Sequence, residues 1–102
     1  MSALDVLADP TRRRIVELLA DGGELNATAI AGRFASSRPA ISQHLGVLVG
    51  GGVLTVRRAG TQRIYRLEPA SLAEAGDWLS TQAQRWTRVL DALETALDED
   101  TP

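Results

Sequence analysis

A run of glycines, Gly50-Gly51-Gly52, divides the sequence into two parts with different hydrophobic periods. Before the run, apolar residues recur every three or four positions, as in Ile41, Leu45 and Leu48, which indicates amphipathic helices. After it, residues 53–67 are β-rich on both sides of a glycine-containing turn, which indicates a hairpin. Short helices followed by a hairpin leave few folds open to the chain.

Helix start and stop signals divide the part before the glycines. Asp9 is predicted to cap a helix with Pro10 in its first turn, and Gly22-Gly23 ends that helix. Asn26 and Ser37 are predicted caps of the next two helices, which are separated by a short connection. Residues 2–8 form a further short helix in this prediction. The closely spaced pair predicts a helix-turn-helix whose second member is the recognition helix, at about 37–49.

A heptad pattern occupies the last third of the chain. After Pro69, apolar and small residues follow a 4-3-4-3 spacing, which predicts one helix over about 70–97. One copy of this stripe would expose a large apolar patch on a monomer, so the stripe predicts dimerisation through the helix. The stripe consists of Leu72, Gly76, Leu79, Ala83, Trp86, Leu90, Leu93 and Leu97.

These elements predict a mainly α fold with a small β-hairpin: a winged helix-turn-helix with a long C-terminal dimerisation helix. The wing is the hairpin at about 53–67, and the length of 102 residues fits a single domain over 1–102.

Composition excludes several kinds of site. The chain has no cysteine and one histidine, His44, so we expect no disulfide, metal, cofactor or catalytic acid–base pair, and no enzyme. No apolar run is long enough to span a membrane, and the N-terminus lacks the pattern of a signal peptide. We therefore expect a cytoplasmic protein that makes no contact with a membrane.

The net charge of −2 hides a strong asymmetry. Residues 1–67 contain nine arginines and five acids, whereas residues 68–102 contain two arginines and eight acids. Between Glu24 and Glu68 there are six arginines and no acid. This distribution indicates a surface for a polyanion, although arginines on ordinary solvated faces would give the same count.

The outward face of the predicted recognition helix is short and, apart from Arg38, uncharged. Gln43 suits adenine, Ser42 suits a base or a phosphate, and Ala40 suits a thymine methyl group. The wing arginines are predicted to reach phosphate or the minor groove, with strand alternation directing some of them away. The predicted DNA-binding residues are Ser37, Arg38, Ala40, Ser42, Gln43, His44, Arg57, Arg58, Thr61 and Arg63.

Residues 7–15, 37–45 and 63–67 resemble, in the expected order, the ArsR family of bacterial transcriptional repressors. The resemblance implies a homodimer of winged-helix subunits bound to a palindromic double-stranded operator. It also implies that the first and last helices form the dimer interface. With the heptad stripe, the predicted interface residues are Leu4, Leu7, Leu72, Leu79, Ala83, Trp86, Leu90 and Leu93.

The sequence departs from the family pattern in two respects. Gly46 stands where the family often has a basic residue, and the cysteine or Asp/His ligands of the metal-sensing branches are absent. Asp91 and Glu94 are better interpreted as a solvated helix face than as a cation site. Three possibilities are left open for an effector: an apolar small molecule near Trp86, a protein partner, or none beyond protein concentration. The alternatives are a MarR-type regulator and a helical protein-interaction module without specific DNA binding.

Overall fold

The computed structural model describes residues 2–99. The chain forms two compact units, the first ending at Leu72 and the second beginning at Ala73. In chain order the elements are α1 (Ala3–Val6), α2 (Pro10–Gly22), β1 (Leu25–Asn26), α3 (Ala27–Ala31), α4 (Arg38–Gly50), β2 (Leu54–Ala59), β3 (Gln62–Leu67) and α5 (Pro69–Glu99).

The predicted capping residues start the helices of the first unit. Asp9, Asn26 and Ser37 each accept a hydrogen bond from the backbone N–H three residues further on, at 3.0, 2.7 and 3.3 Å. Gly23 ends α2 with φ of +74°, a conformation that glycine adopts without steric cost. The caps and the end of α2 are therefore confirmed.

The core of the first unit lies between α2, α3, α4 and the sheet. In α4 the apolar stripe is fully buried, which fixes the helix's rotation and leaves its opposite face in solvent. In α1, Val6 is fully buried, while the predicted interface residues Leu4 and Leu7 are only half-buried. The buried core consists of Val6, Ile15, Leu19, Ala27, Ile30, Ile41, Leu45, Leu48, Val53, Leu54 and Tyr65.

Close packing of α1 on the end of α4 requires a glycine at position 51. A Cβ atom there would lie 2.7 Å from Cγ1 of Val6, much closer than carbon atoms approach each other. The glycine run therefore ends α4 and also leaves space for the buried side chain of Val6.

The sheet has three antiparallel strands in the order β1-β3-β2. The predicted hairpin is confirmed, with pairing from Leu54↔Leu67 to Ala59↔Gln62. The structure adds β1, which pairs with β3 through Leu25↔Tyr65 and Asn26↔Ile64. A strand of two residues is too short to show a hydrophobic period, so the sequence pattern did not reveal it.

Helix α5 extends slightly beyond the predicted bounds at both ends. At its start, the Ser71 hydroxyl donates to the Gly52 carbonyl at 2.7 Å, and half-buried Leu72 packs on the core. None of its side chains between Pro69 and Glu99 is buried, and Leu79 and Trp86 are 51% and 61% exposed. Between residues 2 and 99, no helix is both long enough and apolar enough to span a lipid bilayer.

Candidate nucleic-acid interface

The outer face of α4 carries the predicted base-contacting side chains. Ser42 and Gln43 are exposed, and Ala40 is half-buried. Because Ile41 and Leu45 are completely buried on the other side, this face is held in one orientation. Helix α4 has no acid in its first turn, so the partial positive charge of its N-terminus is not neutralised there.

A cleft of about 410 Å³ separates α4 from the wing, the hairpin formed by β2 and β3. Of the residues from 2 to 99, none that lines either wall is acidic, and each wall carries an arginine, Arg38 on α4 and Arg63 on the wing. The lining residues are Asn26, Ala27, Thr28, Arg38, Ser42, Gly46, Thr61, Gln62, Arg63 and Tyr65. Such a cleft favours an anionic ligand.

Arg38 is held at the edge of this cleft by one hydrogen bond. Its Nη1 donates to Oγ1 of Thr28 at 3.0 Å. A guanidinium group has five N–H donors, so this bond leaves most of them available to a ligand.

Two wing arginines lie directly opposite each other. Arg58 pairs with Arg63 across β2 and β3, and like charges in this position destabilise a sheet. Among residues 2–99, neither side chain has a hydrogen bond or an ion pair. The described part of the chain therefore leaves both cations without compensation, as expected for side chains that meet an external anion.

Arg57 lies on the other face of the wing. Its Nη2 forms an ion pair with Oε2 of Glu24 at 2.8 Å, and this hydrogen bond and the charge of Arg57 lower the pKa of Glu24. Arg57 lines a different recess, together with Glu24, Thr55 and Ile64. The structure therefore separates Arg57 from Arg58 and Arg63, as strand alternation predicts for part of the cluster.

His44 faces α2 and is not among the residues that line the cleft. Its Nδ1 lies 3.4 Å from Nη1 of Arg12 and 3.9 Å from Oδ2 of Asp9. Because a guanidinium only donates hydrogen bonds, a bond between Arg12 and His44 forms only when the imidazole is neutral and accepts through Nδ1. The side chain thus connects the recognition helix to the start of α2.

Six of the ten cleft residues are absent from the predicted DNA-binding set, and three of these six, Asn26, Thr28 and Gln62, have polar side chains that make hydrogen bonds at the cleft. Asn26 was assigned only as a helix cap, because the two-residue strand that brings it to the wing was not recognised. Its Nδ2 lies 3.4 Å from Oε1 of Gln62. The hydrophilic composition of the wing was the only signal available for Gln62.

No group of three or more His, Asp or Glu side chains between residues 2 and 99 is arranged to hold a metal ion. Asp91 and Glu94 both lie on exposed turns of α5.

Comparisons with known proteins agree with this geometry. A helix-turn-helix domain family matches residues 7–57. The HTH-type transcriptional regulator Rv2034 of Mycobacterium tuberculosis is 43% identical over 99 residues, covering 96% of this chain and 88% of the relative.

Solved structures show that the similarity extends to the fold. An ArsR-like transcriptional regulator from Rhodococcus sp. RHA1 superposes with a TM-score of 0.78 at 29% identity, covering 91% of this chain and 87% of that one. The homodimeric winged helix-turn-helix DNA-binding domain of Mb0332 from Mycobacterium bovis superposes with a TM-score of 0.63 at 31% identity, covering 78% and 73%.

The helix pair, the wing and the cleft between them define a winged helix-turn-helix protein. Since a relative of matching length is 43% identical and the solved neighbours are ArsR-type regulators, this chain belongs to the ArsR family of helix-turn-helix transcriptional regulators. The resemblance seen in the sequence is thereby confirmed, and the family is one of regulators, not of enzymes.

Proposed function

We propose that this protein is a dimeric repressor that binds a palindromic DNA operator. The observation that carries the proposal is the acid-free cleft, in which the exposed face of α4 stands opposite the uncompensated arginines of the wing. Since its partner would be chromosomal DNA, the protein would act in the cytoplasm.

Helix α4 supplies base recognition in this proposal. An α-helix fits the major groove, and Gln43 has the donor and acceptor needed for bidentate contact with adenine. Ala40 would meet a thymine methyl group, while Ser37, Ser42 and the helix N-terminus would contact a base edge or phosphates.

The wing supplies affinity that depends little on sequence. Arg58, Arg63 and Thr61 would contact the phosphate backbone or the minor groove beside it, and Arg38 would contact phosphate from the α4 side. Arg57 is engaged with Glu24 on the far face, so we assign it only a contribution to long-range attraction.

Dimerisation would join two copies of the chain through α5 and α1. The exposed heptad stripe of α5, which includes Leu79, Trp86 and Leu90, supports this arrangement, as does the homodimeric state of the Mb0332 domain. The two recognition helices would then read half-sites centred about one helical turn apart.

The experiment is selection of binding sites from random duplex DNA, followed by fluorescence anisotropy on the selected operator. Replacing Gln43 with Ala should cost about 1–3 kcal/mol of binding free energy and relax one base preference. Arg63→Ala should weaken binding to all sequences and reduce the salt-dependence slope by about one. Arg57→Ala is the matched control and should change the slope much less.

Selection that recovers no inverted repeat, or a Gln43→Ala variant with unchanged base preference, would contradict the proposal. A complete lack of salt-dependent DNA binding would favour the alternative of a helical protein-interaction module, because that function does not need the wing arginines.

A further inference from the structure

Asn26 occupies the junction between the helix-turn-helix and the wing. Its Oδ1 accepts from the backbone N–H of Ala29 at 2.7 Å, which fixes the orientation of the side-chain amide. The other end, Nδ2, therefore has to point away from α3, and it donates to Oε1 of Gln62 at 3.4 Å. One small side chain thus contacts both the start of α3 and the wing.

This contact extends a connection that the backbone leaves short. Strand β1 pairs with β3 only through Leu25↔Tyr65 and Asn26↔Ile64. Gln62, nearer the tip of the wing, is beyond that ladder and pairs only with Ala59 of β2. The amide of Asn26 reaches past the last backbone pair to the residue next to Arg63.

Helix α4, which forms the opposite wall of the cleft, is hydrogen-bonded to the segment that contains Asn26 and Thr28. Arg38, at the start of α4, donates to Oγ1 of Thr28 at 3.0 Å. Asn26 and Thr28 therefore lie between the two walls, one bonded to the wing and the other to α4. Both residues line the cleft.

We propose that Asn26 is a positioning residue that sets the distance between the wing and α4, so that one phosphodiester strand of duplex DNA fits between Arg38 and Arg63. This inference rests on the proposed function, since it concerns the fit of the cleft to DNA. Without the bond to Gln62, the tip of the wing has more conformations to lose on binding, which lowers affinity.

If Asn26 acted only as a helix cap, replacing it with another good capping residue would leave DNA affinity unchanged. Serine caps helices as well as asparagine does, but its hydroxyl is too short to reach Gln62. Asn26→Ser therefore keeps the cap and removes the bridge, without adding charge to the cleft. Gln62→Ala removes the bridge from the wing side and leaves the cap untouched.

The test measures operator binding by fluorescence anisotropy for Asn26→Ser, Gln62→Ala and the double variant, with thermal unfolding measured in parallel. Each single variant should bind about threefold to tenfold more weakly, the range expected for one neutral hydrogen bond. Unfolding midpoints should fall by only a few degrees, the effect of one lost hydrogen bond, so that the variants stay folded at the temperature of the binding assay. The double variant should bind no more weakly than the weaker single variant, because both changes remove the same bond.

The affinity cost of Arg63→Ala, measured with and without Asn26→Ser, distinguishes positioning of Arg63 from a purely structural role. If Asn26 positions Arg63, then Arg63→Ala should cost less affinity in the Asn26→Ser background than in the wild type. Additive effects of Asn26→Ser with either Gln62→Ala or Arg63→Ala would overturn the inference, as would wild-type affinity of Asn26→Ser. If the wild type itself does not bind a specific operator, the proposed function fails instead.

Discussion

At the scale of single residues, Asp9 carries two interactions that meet at the recognition helix. It caps α2 through the backbone N–H of Arg12, and its Oδ2 lies 3.9 Å from Nδ1 of His44 on α4. The bond from Arg12 N–H is the main cause that lowers the pKa of Asp9, and the charge of His44 in its protonated form and the charge of Arg12 lower it further. Desolvation opposes these effects.

The lowered pKa of Asp9 predicts a loss of stability in acid. A carboxyl whose pKa is lower in the folded than in the unfolded state stabilises the fold when ionised. That contribution is complete above its ordinary value of 3.8 and is lost as the pH falls through the folded-state value. Asp9→Asn keeps a capping oxygen but does not titrate, so its stability should depend less on pH in this range.

Urea unfolding at fixed protein concentration, between about pH 3 and pH 7, measures this difference. Asp21→Asn is the control, because among residues 2–99 the Asp21 carboxylate has no hydrogen bond or ion pair. An Asp9→Asn variant that loses stability in acid as steeply as the wild type would show that Asp9 does not contribute. Asp5 and Glu24, whose pKa values are also lowered, account for the acid dependence that should persist.

At the scale of elements, the helices could be predicted from sequence because their caps, glycines and apolar spacing all act locally. The same spacing placed Ser42 and Gln43 on the outer face of α4. The site was predicted less completely, because the wing joins residues that are distant in sequence. The ion pair between Arg57 and Glu24 and the hydrogen bond between Asn26 and Gln62 form only when β1 pairs with β3.

Position 46 on α4 is glycine in this chain, whereas the family often has a basic residue there. The effect of this difference on DNA binding can be tested by substitution. A Cβ atom on Gly46 would have no atom within 4 Å, so a longer side chain fits there and would enter the cleft. Gly46→Arg should strengthen DNA binding and increase the salt-dependence slope by about one, the effect of one added phosphate contact.

Gly46→Ala separates charge from helix propensity. Alanine should stabilise α4 by up to about 1 kcal/mol, seen in urea unfolding, because glycine is the poorer helix former. It should leave the salt slope unchanged. If Gly46→Arg and Gly46→Ala have the same slope, position 46 does not face phosphate and the cleft has been assigned to the wrong surface.

At the scale of the whole molecule, arginines and acidic residues are concentrated in different parts of the chain. Nine of the eleven arginines lie in residues 1–67, and eight of the thirteen acids lie in residues 68–102. Two arginines of the first unit, Arg38 and Arg63, line the cleft, while α5 presents apolar side chains among acids. Trp86 and Leu93 are 61% and 54% exposed, which a stable monomer would not favour. The heptad spacing that predicted this stripe needed no tertiary information, since it lies within one helix.

The stripe predicts that dimerisation fails when charge is placed on it. Replacing Leu79 and Leu90 with Glu would bury carboxylates in the proposed interface, so the variant should sediment as a monomer or unfold. Ser80→Glu and Gln84→Glu together form the control, because both lie on α5 outside the stripe and also add two negative charges. Analytical ultracentrifugation at micromolar concentration measures the outcome, and a monomeric wild type would contradict the prediction.

Release of the proposed dimer from DNA should not respond to zinc, arsenite or peroxide. Zinc sites take four ligands that usually include Cys or His, and trivalent arsenic needs thiolates. The chain has no cysteine, and His44, its only histidine, contacts Arg12 beside the recognition helix. Any effector has to bind the free and DNA-bound states differently. The remaining candidates are an apolar molecule near Trp86, a protein partner, or no effector beyond protein concentration.

Titration of the operator-bound protein with each reagent, followed by fluorescence anisotropy, tests this expectation. Arsenite and peroxide should leave the anisotropy unchanged, because they act on thiols. Zinc should do so up to the concentrations at which exposed carboxylates bind it weakly and without defined stoichiometry. Asp91→Asn with Glu94→Gln is the matched variant, because it removes the pair of α5 carboxylates weighed above as a cation site and leaves Glu74 and Asp77, at the same spacing, in place. Stoichiometric release by zinc that this variant abolishes would make the last helix a metal sensor after all.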